Sequence, residues 1–209
     1  MASHIALLGD SIFDNRRYTG GAPDVVGHFR EILPAPWRAT LCAVDGSTTV
    51  DLAKQFGNVP SDASHLVISI GGNDAILNSD ILGLPVESTA EALTIFGDRI
   101  GRFESTYRTA IDDALALHRH TSVCTAYNGN LDAAEAPLAR VALMMFNDVV
   151  LRFAIERQLA VIDLRLVCSN AADYANPLEP SGSGGRKIAA AIARSVLGGD
   201  VPHARVYAG

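Results

Sequence analysis

Five short apolar runs, four of them closing on glycine or polar turn residues, are separated by longer segments of helical periodicity. The runs cover residues 4–8, 37–44, 65–70, 121–127 and 159–164. None keeps a polar alternation, which is how a strand covered on both faces reads. Between and after them, helices are expected over 22–33, 48–56, 87–118, 134–158 and 181–197, the third broken near Gly97 or Gly101. Pro23 suits a first helical turn, and Gly57 suits a helix end. Strand–helix alternation predicts a parallel sheet with helices on both faces. Right-handed crossovers turn this into a doubly wound, three-layer α/β/α sandwich of about five strands. With no repeat, low-complexity tract or linker, residues 1–209 read as a single domain.

Composition removes several function classes. The chain is 48% hydrophobic and 19% charged over 209 residues, enough to bury a substantial core without disulfides. A net charge of −6, with only Arg16-Arg17 and Arg186-Lys187 as basic pairs, excludes a nucleic-acid partner. Cys42, Cys124 and Cys168 stand singly without Cys-x-x-Cys spacing and read as buried small hydrophobes. No apolar run reaches the ~18 residues of a membrane span. The N-terminus lacks a basic segment followed by a long apolar one. A soluble, cytoplasmic protein without membrane partners is expected.

In a sheet of this kind, ligands bind outside the carboxyl ends of the strands. That places chemistry in the loops at 9–15, 45–48, 71–74 and 166–185. Ser11 follows a strand end and a glycine, so its hydroxyl can project into the crevice. A serine needs a base to take its proton and donors to hold an oxyanion. Gly46 can bring its backbone N–H close to a ligand. Asn73 offers a side-chain donor that stays neutral at any pH. Taken singly, each residue also reads as a turn or a helix cap. The Ser11 segment is not the elbow of the α/β-hydrolases, because Phe13 holds the last glycine position.

Their order carries more. Gly9-Asp10-Ser11-Ile12, then Gly46, then Gly71-Gly72-Asn73-Asp74, with Phe13-Asp14-Asn15 after the serine, resembles the first three sequence blocks of the SGNH/GDSL hydrolases. The likeness covers nearly the whole chain and implies a flavodoxin-like sandwich. It implies an esterase or acyl hydrolase of small-molecule esters, with Ser11 as nucleophile. The Ser11 and Gly46 N–H groups and the Asn73 side chain would form the oxyanion hole. Asp10 and Asp74 would border the substrate, and neither metal nor organic cofactor would be required.

The fourth block departs from the family. Where Asp-x-x-His is expected, the chain reads Asn176-Pro177-Leu178-Glu179-Pro180. Glu179 stands in the place of the general base and Asn176 in that of its orienter. An ordinary glutamate, with a pKa of roughly 4.3, is a weak base at neutral pH unless burial raises it. Three readings follow. Glu179 activates Ser11 directly, His203 folds over from the C-terminal tail, or the site is catalytically inactive and binds a small ligand. His4, His65, His118 and His120 fall at the wrong end of the sheet, and His28 lies mid-helix. The His118-x-His120 pair reads as structural rather than metal-binding. Asp10, Asp45 and Asp74 would hold Mg²⁺ only in a phosphoryl-transfer reading. Residues 181–185 are a loop leading into a helix, with an anion cradle as the lesser reading. Residues 75–87 border the crevice and are expected to shape specificity.

Overall fold

The computed structural model describes residues 3–198. Five parallel strands, β1 (His4–Gly9), β2 (Arg38–Leu41), β3 (His65–Ser69), β4 (His120–Cys124) and β5 (Ala160–Ile162), form one sheet in the order β2-β1-β3-β4-β5. The strand β1 is buried throughout and alternates its side chains between two cores. Ile5 and Leu7 join Phe29, Ile188 and Ile192 beneath α1 (Val25–Ile32) and α7 (Gly182–Leu197). Ala6 and Leu8 join Tyr107, Ile111 and Phe153 beneath α4 (Thr89–Leu115) and α5 (Ala136–Glu156). Two buried faces are why the strands show no polar alternation. The expected three-layer sandwich is the observed one.

Three details differ from the periodic pattern. The helix α4 runs unbroken through Gly97 and Gly101. Each glycine costs about 1 kcal/mol in a helix but removes no hydrogen bond. The stripe Phe103, Tyr107, Ala110, Ile111 and Ala114 then locks the second half onto the sheet. A short helix, α3 (Gly72–Leu77), starts directly from the turn at Gly71, so Asn73 and Asp74 sit in its first turn rather than at its cap. The apolar run at 121–127 leaves the sheet after Cys124. There the Asn147 side chain takes both backbone groups of Ala126, at 2.8 and 2.9 Å, in place of a neighbouring strand. The other short elements are α2 (Leu52–Gln55) and α6 (Leu164–Val167).

From β1 the chain crosses to β2 on one side and then to β3 on the other. The connections diverge there, opening a crevice between the carboxyl ends of β1 and β3. Cys42, Cys124 and Cys168 are free and buried, as their surroundings in the sequence suggest. Among the described residues no helix is long and apolar enough to cross a membrane.

Candidate active site

The turn that carries Ser11 is fixed from three directions. Gly9 ends β1 with its backbone gripped by Gln55, which accepts from Gly9 N–H at 2.8 Å and donates to Gly9 C=O at 2.7 Å. The same Gln55 amide also reaches Ser47 Oγ at 3.2 Å, beside Gly46. The Asp14 carboxylate accepts from Asp45 N–H at 3.0 Å and ties the serine turn to the Gly46 loop. Asn15, fully buried, accepts from Val25 N–H at 3.0 Å and donates to Pro180 C=O at 3.2 Å. It thereby joins the serine turn to the segment bearing Glu179. Gln55 carries no sequence signal, since a glutamine on a four-residue helix reads as surface. Only its 2% exposure and its three polar partners reveal it as a positioning residue.

Of the three groups that the sequence reads as oxyanion donors, Ser11 and Asn73 line one cavity and Gly46 lies in the loop beside Ser47. Among the described residues, neither Ser11 N–H nor Gly46 N–H has an acceptor. Asn73 Nδ2 donates to Ser47 C=O at 2.9 Å, which fixes the amide with its nitrogen toward the Gly46 loop and leaves its second N–H unused. Gly46 adopts φ +82°, in the left-handed region, with open space where a side chain would stand. The three groups are thus held by neighbours, each with an N–H that has no acceptor among the described residues.

Glu179 sits on a closely held loop. Asn176 Oδ1 accepts from the Leu178 and Glu179 N–H groups, both at 2.8 Å. Glu179 C=O accepts from Ala175 N–H at 2.8 Å, and Pro177 C=O accepts from Asn130 N–H at 2.8 Å. The Tyr127 hydroxyl donates to Leu178 C=O. Asn176 therefore sets the backbone turn and does not touch the Glu179 carboxylate. Burial raises the Glu179 pKa above its ordinary value, against a lowering hydrogen bond from the Ser11 side chain, and Asp45 raises it further. Glu179 Oε2 is buried, with no hydrogen-bond partner among the described residues. A carboxylate so placed gains a stronger hold on a proton than one in water.

The two aspartates expected at the substrate separate. Asp10 is 3% exposed and lines the cavity with Ser11 and Glu179. Asp74 turns away and accepts from the Thr49 hydroxyl at 2.6 Å and Thr49 N–H at 3.0 Å. It lines a smaller neighbouring pocket instead. Asp45 accepts from the Tyr18 hydroxyl at 2.9 Å and pairs with Arg17 at 3.1 Å. His4, His65 and His120 begin strands and His28 lies within α1, all away from Ser11. His203 lies outside the described residues.

From the polar floor formed by Asp10, Ser11, Asn73 and Glu179, a cavity of about 570 Å³ extends beneath α3, the start of α4 and the start of α5. Ile76, Ile81, Phe96, Leu138, Leu143 and Phe146 line it. Its size suits a small molecule, and its apolar wall with a few convergent polar groups at one end is the usual form of a ligand site. The 75–87 segment, expected to shape specificity, supplies part of that wall through Ile76 and Ile81.

Comparison with known proteins bears on the whole frame. A model of the GDSL-like Lipase/Acylhydrolase family matches residues 7–186. No curated protein sequence matches. Among solved structures, phospholipase A1 from Streptomyces albidoflavus NA297 aligns with a TM-score of 0.71 and 15% identity, over 94% of this chain and 100% of that one. An acetyl xylan esterase from Geobacillus stearothermophilus aligns with 0.67 and 19%, over 98% and 99%. An extracellular lipase from Streptomyces rimosus aligns with 0.66 and 16%, over 93% and 100%. At these identities the structural likeness speaks to the fold.

Proposed function

The chain belongs to the GDSL-like lipase/acylhydrolase family, and on that premise we propose that it hydrolyses carboxylic esters through an acyl-Ser11 intermediate. Glu179 is the base in this reading. Its carboxylate takes the Ser11 hydroxyl proton as Oγ bonds to the acyl carbon. The Ser11 and Gly46 N–H groups and the Asn73 amide hold the resulting oxyanion. The proton then passes from Glu179 to the departing alkoxide as the ester C–O bond breaks. Water repeats the sequence to release the acid. The observation that carries the reading is the set of uncommitted donors around Ser11, with the partnerless Glu179 oxygen beside it.

A fluorophosphonate probe is expected to label the wild type at Ser11. Glu179→Gln should keep the fold and lower turnover of p-nitrophenyl esters by about ten-fold or more, the loss expected for a general base. Only ionised Glu179 accepts a proton, so turnover should fall as pH drops through its folded pKa, which burial places above 4.5. Undiminished turnover in Glu179→Gln would exclude the glutamate as base. No labelling and no turnover at any pH would favour the binding-only reading.

The cavity points to acyl groups longer than acetyl. Each methylene moved from water to an apolar wall contributes about 0.8 kcal/mol. On this reading, kcat/KM should rise by up to about ten-fold for each two carbons added between acetate and hexanoate. Ala142, on the α5 wall, is the place to test it. Ala142→Trp should fill the cavity and flatten the series, leaving acetate turnover least affected. An unchanged series would place the acyl chain elsewhere.

A further inference from the structure

One buried ionisable group is not used by this chemistry. Asp10 stands immediately before Ser11, 3% exposed, with Oδ1 held by Ile12 N–H at 3.1 Å. Gly72 lies beside its other oxygen, where an added Cβ would stand in ordinary contact, 3.7 Å from Oδ2. Asp10 and Glu179 line the same largely apolar cavity. Among the described residues neither pairs with a cation: Arg17 is held by Asp45, Lys187 by Asp173, and Arg99, which lines the same cavity, by Asp80. Asp74, turned toward Thr49, and Asp45, paired with Arg17, add negative charge at longer range, and Glu135 lines the cavity from the start of α5. From β4 and the loop beyond it come Cys124 and Tyr127, both kept neutral by burial.

We propose that Asp10 is a positioning residue that works in its protonated form, making with Glu179 a two-carboxyl site that admits one negative charge at a time. The inference rests on the Ser11–Glu179 reading and adds a second limit to it. Burial pushes Asp10 up to about 7, with Glu179 and Asp74 adding to the rise and the Ile12 N–H opposing it. Below that point Asp10 is neutral, and the single charge resides on Glu179, where the base needs it. Above it, Asp10 stays negative beside the forming oxyanion after Glu179 has taken the Ser11 proton, and the three donors must hold the oxyanion against that charge. Catalysis should therefore have an acid limb set by Glu179 and an alkaline limb set by Asp10. No covalent step is added; the proton on Asp10 stays in place through the cycle.

Asp10→Asn is the decisive variant, because an amide oxygen can still accept from Ile12 N–H while the titration is gone. In the wild type, kcat/KM is expected to fall about ten-fold per pH unit above pH 7, the slope of one ionisation. Asp10→Asn should lose that fall and keep its acid limb in place, because Asp10 is already neutral where Glu179 titrates. A retained alkaline limb in Asp10→Asn overturns the proposal and leaves the nucleophile assignment standing. Carbon-13 NMR of the aspartate carboxyls in the wild type gives a readout independent of activity. Asp10 titrating near 7 supports the proposal, whereas Asp10 titrating below about 5 overturns it even if no ester is turned over.

Discussion

Ser11→Ala is expected to lower ester turnover by on the order of 10³-fold or more, while leaving the fold and the cavity unchanged. Ser11 is 7% exposed, and the substitution removes a single oxygen. No backbone donor or acceptor depends on that oxygen, so the turn at 10–14 keeps its Asp10 and Asn15 hydrogen bonds. A residue that fills the space without a nucleophile leaves only the oxyanion donors and the bound orientation to assist water. The variant also carries a diagnostic beyond lost rate. Ser11 lowers the Glu179 pKa by hydrogen bonding, so its removal should raise that pKa further and move the carboxyl resonance accordingly. Because Ser11 and Glu179 act as one unit, Ser11→Ala/Glu179→Gln should be no slower than Ser11→Ala alone. Additive losses, or turnover surviving in Ser11→Ala, would mean that another group attacks the ester.

The sheet and the loops that carry the chemistry were legible because buried parallel strands leave long-lived traces in sequence. Runs such as 4–8 and 65–70 are apolar on both faces and stop where the chain turns toward the crevice. Ser11, Gly46 and Asn73 stand out in the sequence because each follows such a stop. Gln55 was not, because its role depends on Gly9 and Ser47 being brought to it by the fold. The place of Asp74 after Asn73 suggests the substrate, but helical geometry turns adjacent side chains about 100° apart. Asn73 therefore faces the cavity while Asp74 caps Thr49. The spacing of Asn176 suggests a place beside the base, yet an asparagine three residues before a turn's last N–H closes on the backbone instead. The burial that raises Glu179 and Asp10 could not be read from either residue's type, because it is set by the cavity that the fold assembles around them.

Gly9→Ala is expected to have the largest effect on stability, and the reason separates the three residues of the Gly9-Asp10-Ser11 segment. Gly9 has φ +130°, a conformation that residues with a Cβ rarely adopt. A methyl there would stand 1.8 Å from Ser69 C=O, the group that accepts from Asp10 N–H at 3.1 Å. Relief requires β1 and β3 to part at their carboxyl ends, which breaks that hydrogen bond and pulls Gly9 from the Gln55 amide. Backbone crowding of this kind belongs to the exceptional losses above about 4 kcal/mol, against a total stability of about 5–15 kcal/mol. For a chain of this size, the melting temperature should fall by about 10 °C or more. Gly46→Ala is the control: its φ of +82° strains an alanine, but no atom lies within 4 Å of the new methyl. Its loss should be about 1–2 kcal/mol, and its melting temperature should drop by only a few degrees. Equal melting of the two variants would show that conformation, not the approach to Ser69, governs Gly9. The expected inequality makes Gly9 a requirement of strand packing, leaving Asp10 the electrostatics and Ser11 the chemistry that the packing positions.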